Sequence, residues 1–321
     1  MNTHFIQYTR ASDGNVDGVP LFAPDTYWGK APAHVLEEAI TTIDTKGWDA
    51  FDATYRGKFD FTNDETRADW RFPIDISKDS VVLDIGAGMG RSTVPLARVA
   101  GTVVAFDQST LRMRYLARRV KKEGLNNVQV FVGDIFSLPI AEGTFDVIAM
   151  NGILEWVGLS QQFPDAASAQ RACLNICRKL LKKNGTLYVG IENRIAAAYI
   201  KTADHGGLMY TSFMPRFLSR PYTRLRQGHD YRTFTYTKEG YEKLFHECGY
   251  SDVTVYLPYP GYNLPRIVWP YDNLHMFRHV IRTLMPANSL IRRVFKWSVG
   301  WTPILMLYRR FFYSFNIIAR S

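Results

Sequence analysis

Cysteine is scarce in this chain of 321 residues, which contains only Cys173, Cys177 and Cys248. An odd and sparse set argues against a disulfide scaffold and predicts a reducing compartment. Cys173 and Cys177 lie four residues apart in a predicted helix, where we expect packing on one face rather than metal binding. The composition is 46% hydrophobic and 21% charged, which excludes fibrous and wholly disordered proteins.

Long apolar runs and a leader are also lacking. The first residues, Met1-Asn2-Thr3-His4, have neither the basic region nor the apolar region of a signal peptide. The longest apolar candidate, 297–308, has twelve residues and contains Pro303, whereas about 20 residues are needed to cross a bilayer. We therefore expect a cytoplasmic protein without a spanning helix.

Acidic residues are absent after Asp272, although 273–321 contains eight arginines and lysines. The net charge is +9, so eight of the nine excess positive charges lie in this segment. Apolar and aromatic residues alternate with the basic ones from Asn288 to Arg320. The pattern is typical of a helix in the interface of an anionic membrane, which would make the protein peripheral at the inner membrane face. It also fits a helix pair docked on the domain or on a second subunit.

Short apolar segments alternate with amphipathic helices in the middle of the chain. The predicted strands are 81–85, 102–106, 128–132, 145–150, 186–191, 253–257 and 266–269. This alternation predicts an α/β fold with a doubly wound, mostly parallel sheet whose last strand is antiparallel.

Three regions are predicted around this pattern. Residues 1–77 form an N-terminal helical cap, 78–272 the main domain, and 273–321 a basic, aromatic C-terminal helical tail. One connection of the main domain, 192–236, is too long for a simple link and is rich in aromatic residues. Connections of this length are usually functional or disordered, and the aromatic content argues against disorder.

The sharpest motif is a glycine-rich turn, Asp84-Ile85-Gly86-Ala87-Gly88-Met89-Gly90, which follows the first predicted strand. Glycines let the backbone approach a ligand closely and take positive φ. Open α/β sheets bind ligands at this edge. A dinucleotide fingerprint would have its third glycine where Arg91 stands. A carboxylate at Asp84 also suits a ligand with an amino group better than a pyrophosphate.

The run Leu83-Asp84-Ile85-Gly86-x-Gly88-x-Gly90 resembles motif I of the class I S-adenosylmethionine-dependent methyltransferases. Further stretches resemble this family in the same order: Phe106-Asp107, Gly133-Asp134-Ile135, Phe145-Asp146-Val147-Ile148 and Leu180-Leu181-Lys182-Lys183-Asn184-Gly185-Thr186-Leu187. The resemblance covers about residues 78–257. It implies a seven-stranded, doubly wound Rossmann-like methyltransferase sheet with S-adenosyl-L-methionine as the cofactor.

The resemblance also implies which residues bind that cofactor: Asp84, Gly86, Gly88, Gly90, Asp107, Asp134, Ile135 and Asn151. Asp107 would bind the ribose hydroxyls, Asp134 with Ile135 the adenine, and Asp84 the amino group. The alternative for each acid is a solvated loop carboxylate or a helix cap.

The connection 192–236 is the candidate acceptor site and contains the candidate general bases. His229 is the first candidate because the pKa of histidine can lie near working pH, and Glu192 and His205 follow. Each has a structural alternative, as a hydrogen-bonded histidine or an ion-paired glutamate. The run Leu154-Glu155-Trp156 lacks the histidine that many small-molecule methyltransferases have there. We predict no metal, since the spaced aspartates of metal-dependent catechol-type enzymes are not evident.

Two strings in the connection, 190–194 (Gly-Ile-Glu-Asn-Arg) and 229–235 (His-Asp-Tyr-Arg-Thr-Phe-Thr), resemble bacterial methyltransferases associated with cell-surface glycans. They imply O-methylation of a sugar hydroxyl on a nucleotide- or lipid-linked glycan, with a phosphate that arginines would bind. The alternatives are a small-molecule methyltransferase of secondary metabolism, an RNA methyltransferase, and a non-catalytic regulator that binds the cofactor. The near-neutral charge before residue 273 argues against nucleic acid as a partner.

Overall fold

The computed structural model describes residues 5–27, 31–285 and 287–321. Met1 to His4, on which the expectation about a signal peptide rests, lie outside this range. The chain divides into two compact units. The N-terminal unit comprises 1–150, 176–187 and Ser321, and the C-terminal unit comprises 151–175 and 188–320.

A sheet of parallel strands forms the centre of the N-terminal unit. The strands are β1 (Gly14–Val16), β2 (Val19–Leu21), β3 (Val81–Ile85), β4 (Thr102–Asp107), β5 (Val128–Val132) and β6 (Phe145–Asn151). They lie side by side in the order β1-β2-β5-β4-β3-β6, and every neighbouring pair from β2 to β6 is parallel. Leu83 and Val104 are fully buried, as expected for central strands covered on both faces.

Among the described residues, three α-helices lie wholly in this unit: α1 (Ala33–Asn63), α2 (Thr93–Val99) and α3 (Thr110–Lys122). The helix α1 is interrupted at Gly47, where φ is +82°. Ile40 and Phe51 of α1 pack in one apolar cluster with Tyr115 of α3, which fixes the N-terminal helix to the domain.

The segment 1–77 was expected to be a helical cap, and its described part also contains the hairpin β1–β2. Asp17 and Gly18 take positive φ (52° and 82°) in the tight turn between these strands. Strand β2 then joins the sheet through the pairing of Leu21 with Val132. An Asp-Gly pair is a recognised hairpin signal, so the sequence contained the information.

Three described elements contribute residues to both units, namely β6 through its last residue Asn151, α4 (Ala166–Leu180) and β7 (Leu181–Glu192). The strands of the C-terminal unit are β8 (Ser251–Tyr259), β9 (Ile267–Pro270) and β10 (Ser314–Arg320). Beside the later part of β7 they follow in the order β10-β8-β9. Both β10–β8 and β8–β9 are antiparallel, so the expected antiparallel end of the sheet is confirmed.

The C-terminal unit also contains five helices within the described residues: α5 (Arg216–Gln227), α6 (Lys238–Glu247), α7 (Leu274–Leu284), α8 (Leu290–Ser298) and α9 (Thr302–Arg310). None of the helices in the described ranges is long and apolar enough to cross a membrane.

The region 273–321 departs from the predicted helical tail at its end, because β10 is a strand. Phe315, Ile317 and Ala319 of β10 are buried, and a short uncharged run rich in β-branched residues favours a buried strand over an exposed helix. The described strands number ten rather than the seven predicted, and the additional ones are β1, β2 and β10.

Candidate cofactor and acceptor sites

The glycine turn after β3 takes the conformation that its sequence predicts. Gly86, Gly88 and Gly90 all have positive φ, at 67°, 56° and 84°. A Cβ added at Gly90 would collide with Leu116 of α3, so this helix packs directly on the turn. A Cβ added at Gly88 would find its nearest atom, the carbonyl oxygen of Gly86, at 4.0 Å. The turn therefore leaves room at Gly88 for a ligand.

Asp107, at the end of β4, faces this turn. Its Oδ2 accepts a hydrogen bond from the backbone N–H of Gly88 at 3.1 Å, and its Oδ1 accepts one from Ser109 N at 3.0 Å. The guanidinium of Arg112 lies 3.5 Å from Oδ2. These donors fix the orientation of the carboxylate, whose oxygens have further lone pairs for ribose hydroxyls. Neither Ser109 N nor Arg112 was predicted as a supporting group.

Asp84 is buried within β3, and its Oδ2 accepts a hydrogen bond from Thr93 Oγ1 at 2.6 Å. Burial raises the pKa of Asp84 to about 6, although the Thr93 hydrogen bond and the charge of Arg67 both oppose the rise. The carboxyl group therefore titrates close to neutral pH, and a cationic ligand group would favour its charged form. No motif in the sequence identifies Thr93 as the partner of Asp84.

Asp134 is half-buried and caps a short 3₁₀ helix, Ile135–Ser137, by accepting a hydrogen bond from Phe136 N at 3.0 Å. Asp134 thus acts as a helix cap, which was the structural alternative for this residue. Only Oδ1 is used by the cap, so Oδ2 can still accept a hydrogen bond from adenine. Ile135 beside it is buried.

Asn151 belongs to the C-terminal unit and is buried there. Its Nδ2 donates to the carbonyl oxygen of Tyr262 at 3.4 Å, and Tyr188 Oη lies 3.5 Å from its Oδ1. The resemblance to the methyltransferase family implies that Asn151 lies near the methionine portion of the cofactor, and this stays a prediction.

A cluster of two glutamates and a histidine, which we call the acid–histidine cluster, lies in the C-terminal unit. Nε2 of His205 is 2.6 Å from Oε2 of Glu192 and 3.8 Å from Oε1 of Glu155. Both glutamates are buried, whereas the side chain of His205 is 25% exposed. The structure thus brings together two of the three predicted base candidates and adds Glu155, which sequence analysis did not select.

Aromatic side chains surround the cluster and hold Glu192 in place. Tyr262 Oη donates to Glu192 Oε1 at 3.0 Å, and Tyr241 Oη donates to the backbone oxygen of Glu192 at 3.0 Å. Tyr313 also hydrogen-bonds the Glu192 side chain. The indole ring of Trp156 lies 4.9 Å from the His205 ring, centroid to centroid.

The environment of His205 controls its charge. Burial alone would lower the pKa of His205, but the hydrogen bond to Glu192 and the charges of Glu192, Glu155 and Asp204 raise it to about 9. Because Glu192 accepts at Nε2, the neutral ring is held in the tautomer with its proton on that nitrogen. Within the described residues Nδ1 of His205 makes no hydrogen bond, so it remains the acceptor nitrogen of the neutral ring.

His229, the first candidate of the sequence analysis, does not join this cluster. Its side chain is exposed, and its Nδ1 lies 3.1 Å from the carbonyl oxygen of Asp230. The structural reason is the end of α5, which places Gly228, in the left-handed conformation, and His229 at the surface.

Arg232 and Arg194 of the connection bind backbone oxygens. Arg232 donates to the carbonyl oxygens of Gly158, Ser160 and Phe163 at 2.6–2.9 Å. Arg194 donates in the same way to Ser212 and Met214. These two side chains tie separate segments of the chain together. Their partners are backbone oxygens, and neither forms the ion pair with Glu192 that was the structural alternative for that residue.

The donor atoms of Glu155, Glu192 and His205 all lie within 4.8 Å of one another, a spacing that allows a metal ion. The sequence analysis expected no metal. Metal binding would require an unprotonated Nε2 on His205, and that nitrogen is engaged by Glu192.

The chain is similar to known methyltransferases in sequence. Residues 76–235 match a family model described as a methyltransferase domain. A protein-L-isoaspartate O-methyltransferase of Nitrobacter winogradskyi is 32% identical over 97 residues, which covers 30% of this chain and 42% of that protein. A ubiquinone biosynthesis O-methyltransferase of Caulobacter vibrioides is 30% identical over 117 residues, with coverage of 36% and 42%. The chain spans less than half the length of these curated relatives.

Among solved structures, a phosphoethanolamine N-methyltransferase 2 of Haemonchus contortus, in complex with phosphomonomethylethanolamine and S-adenosylhomocysteine, aligns with a TM-score of 0.47 and 18% identity. The alignment covers 87% of this chain and 58% of that one. The ordered motifs, the positive-φ conformation of the glycine turn and the matched family model fall within the same residues. The chain therefore contains, at residues 76–235, a methyltransferase domain of the class whose cofactor is S-adenosyl-L-methionine.

Proposed function

We propose that this protein is an S-adenosylmethionine-dependent O-methyltransferase whose acceptor is a sugar hydroxyl of a nucleotide- or lipid-linked glycan. The observation that carries the proposal is the contact of His205 with Glu192 at 2.6 Å, with Nδ1 of the same ring left as an acceptor. An oxygen nucleophile must lose a proton during transfer, whereas a sulfur or amine nucleophile has less need of a positioned base.

Residues of the N-terminal unit bind the cofactor in this proposal. The carboxylate of Asp107 accepts a hydrogen bond from the N–H of Gly88. The open space at Gly88 leaves room for a ligand beside this carboxylate. Asp84 supplies a charge for an amino group, and Asp134 with Ile135 borders the adenine. When bound, S-adenosylmethionine supplies a methyl group on a positively charged sulfur that is already activated for attack.

Residues of the C-terminal unit act on the acceptor. Neutral His205 would accept the hydroxyl proton at Nδ1, so that the acceptor oxygen could take the methyl group that bound S-adenosylmethionine would supply. Glu192 fixes the ring and stabilises the imidazolium that results, as the carboxylate does in a hydrolase triad. A positioned base of this kind contributes about 10²–10⁴-fold to the rate.

The sugar acceptor is supported by the surroundings of His205. Trp156, half-buried beside the histidine ring, offers an aromatic face of the kind that stacks on sugars. The resemblance of the strings 190–194 and 229–235 to glycan-associated methyltransferases points the same way. The phosphate contact is not assigned to Arg194 or Arg232, since both are bound to backbone oxygens.

The experiment compares two histidine variants in a methyl-transfer assay with labelled S-adenosylmethionine and nucleotide- and lipid-linked sugar fractions. His205→Gln is expected to lose about 10²–10⁴-fold in kcat while keeping its affinity for S-adenosylhomocysteine. His229→Gln, which alters an exposed ring, is expected to stay near the wild-type rate. The opposite ranking would restore the base first predicted from the sequence and refute the role of His205.

Two other outcomes separate the rival functions. Methylation of a small metabolite, with none of the sugar fractions accepted, would support a small-molecule methyltransferase. Tight cofactor binding without transfer to any acceptor in a fractionated host extract would support a regulator that binds the cofactor.

A further inference from the structure

The helix α8 exposes one apolar stripe to solvent. Leu290, Val294 and Trp297 stand at positions i, i+4 and i+7 and are 76%, 55% and 71% exposed. Residues at this spacing lie on the same face of a helix. In a water-soluble domain such a face is normally turned toward the core, so its exposure requires an explanation.

The stripe continues into the turn after α8 and into α9. Trp301 is 65% exposed, and its ring centroid lies 6.4 Å from that of Trp297. Met306 and Leu307 of α9 are also exposed. We call the exposed apolar residues of 290–307 the α8–α9 apolar face.

The opposite sides of these helices are fixed to the C-terminal unit. The rings of Phe295 and Tyr308 lie 4.1 Å apart, and Val299 and Leu305 are fully buried. Arg278 of α7 donates to the carbonyl oxygen of Val299 at 3.2 Å. The pair of helices is therefore anchored, and its apolar face is not the result of undocked segments.

Positive charges flank the apolar face. Arg292 and Arg293 of α8 are exposed, and Lys296 is half-buried. The sequence contains no acidic residue after Asp272. A basic border around tryptophan and aliphatic side chains is the composition of a helix that lies in the plane of a membrane interface.

We propose that the α8–α9 apolar face binds the surface of an anionic lipid bilayer. The aliphatic stripe and the tryptophans would enter the headgroup region, and each basic residue near the surface would contribute about 1 kcal/mol. A second copy of this chain would bring two positive surfaces together. A nucleic acid would satisfy the arginines but leave Leu290, Val294 and Leu307 without an apolar environment. The inference is independent of the methyl-transfer activity.

The test is flotation of the full chain with vesicles of phosphatidylcholine alone and of two parts phosphatidylcholine to one part phosphatidylglycerol. Point variants are needed because deletion of residues 288–321 would also remove the buried strand β10. We expect flotation with the anionic vesicles only, and a loss of at least tenfold in the partition coefficient for Trp297→Ala/Trp301→Ala.

Two matched controls accompany the variants. Phe72→Ala alters an aromatic residue of the N-terminal unit that is 72% exposed, and it should float as the wild type does. Arg292→Glu/Arg293→Glu should abolish flotation, whereas Lys121→Glu/Lys183→Glu, with the same change in net charge at exposed sites, should not. Equal flotation of the tail variants and their controls would overturn the proposal.

Sedimentation without lipid gives a second readout. We expect the wild type and the tryptophan variant to share one oligomeric state. A dimer that the tryptophan variant converts to monomer would show that a second copy covers the face, which would also overturn the proposal. Both outcomes can be read whether or not methyl transfer is detected.

Discussion

Nε2 of His205 lies 2.6 Å from Oε2 of Glu192, and 25% of the His205 side chain remains exposed. A carboxylate at this distance from one ring nitrogen fixes the tautomer and leaves the other nitrogen for a substrate. Against the opposing effect of burial, this hydrogen bond and the charges of Glu192, Glu155 and Asp204 raise the pKa of His205 to about 9. The contact with Glu192 thus affects both the orientation of the ring and its charge.

The first prediction concerns the pH dependence of methyl transfer. Only neutral His205 can accept a proton, so kcat/KM should rise with pH and level off near pH 9. In Glu192→Gln the carboxylate charge is lost, so the pKa of His205 should fall toward its ordinary value of about 6.5 and the rise should move to lower pH. The measurement is kcat/KM from pH 6 to 10 for both proteins.

A matched variant separates charge from general disruption. Tyr262→Phe removes one hydrogen bond to Glu192 and keeps the charge, so its profile should stay close to that of the wild type. A profile that does not move in Glu192→Gln would contradict the coupling of the two residues.

The same titration makes a second prediction, about folding stability. The pKa of His205 is higher in the folded chain than the unfolded value of about 6.5. The stabilisation that His205 adds to the folded chain is therefore fully present below about pH 6.5. The contribution should be lost as pH rises to about 9, by at most about 3 kcal/mol. Urea unfolding at pH 6 and pH 9 should show a smaller change in His205→Gln than in the wild type. An equal pH dependence in the two proteins would rule out His205 as the source.

How far the sequence predicted this site can be judged residue by residue. The motif around Asp84 to Gly90 and the placement of Asp107 followed from a strand–turn–helix pattern, which is local in the chain. The acid–histidine cluster joins residues 155, 192 and 205, whose proximity depends on how a long connection folds back on itself. No periodicity reports such contacts, and the sequence could therefore name Glu192 and His205 but not rank them above His229.

Glu155 is the residue of the acid–histidine cluster that the sequence did not identify. The run Leu154-Glu155-Trp156 lacks the histidine that many small-molecule methyltransferases have there. In the structure the ring of His205 lies against Trp156 and near Glu155, so a histidine reaches this position from a distant part of the chain. The strand β10 was missed for a related reason, since the basic, aromatic composition of 273–321 concealed a short buried run at its end.

A third prediction addresses metal dependence. His205 has a pKa of about 9, so its Nε2 carries a proton at neutral pH and cannot act as a metal ligand there. Activity should therefore be unchanged after treatment with EDTA and gel filtration, and unchanged by added Mn²⁺ or Mg²⁺. If chelation abolishes activity and a divalent ion restores it in the wild type but not in Glu155→Gln, the cluster is a metal site and the proton-transfer role is wrong.

The fourth prediction tests the ribose assignment of Asp107. Removal of a charged hydrogen-bond acceptor costs about 1.5–3 kcal/mol, so Asp107→Ala should weaken S-adenosylhomocysteine binding by at least tenfold in calorimetry. Asp79→Ala, which alters an exposed acid just before β3, serves as the control and should bind as the wild type does. Because Asp107 also accepts from Gly88 and Ser109, thermal unfolding of the variant must be measured in parallel. Unchanged affinity in a folded Asp107→Ala protein would remove the assignment.

The last prediction concerns Asp84, whose carboxyl group is buried and has a pKa of about 6. If its charged form binds the amino group of the cofactor, the affinity for S-adenosylhomocysteine should be constant above pH 7 and fall below about pH 6, up to tenfold for each further pH unit. Thr93→Val removes the hydrogen bond that favours the charged form, so the pKa of Asp84 should rise and the loss of affinity should begin at higher pH. Asp84→Asn should bind weakly at every pH, without this break. Calorimetry from pH 5 to 8 measures the affinity of all three proteins. If the affinity of Asp84→Asn still falls below about pH 6, another group titrates. Asp84 would then serve only to hold Thr93 at the start of α2.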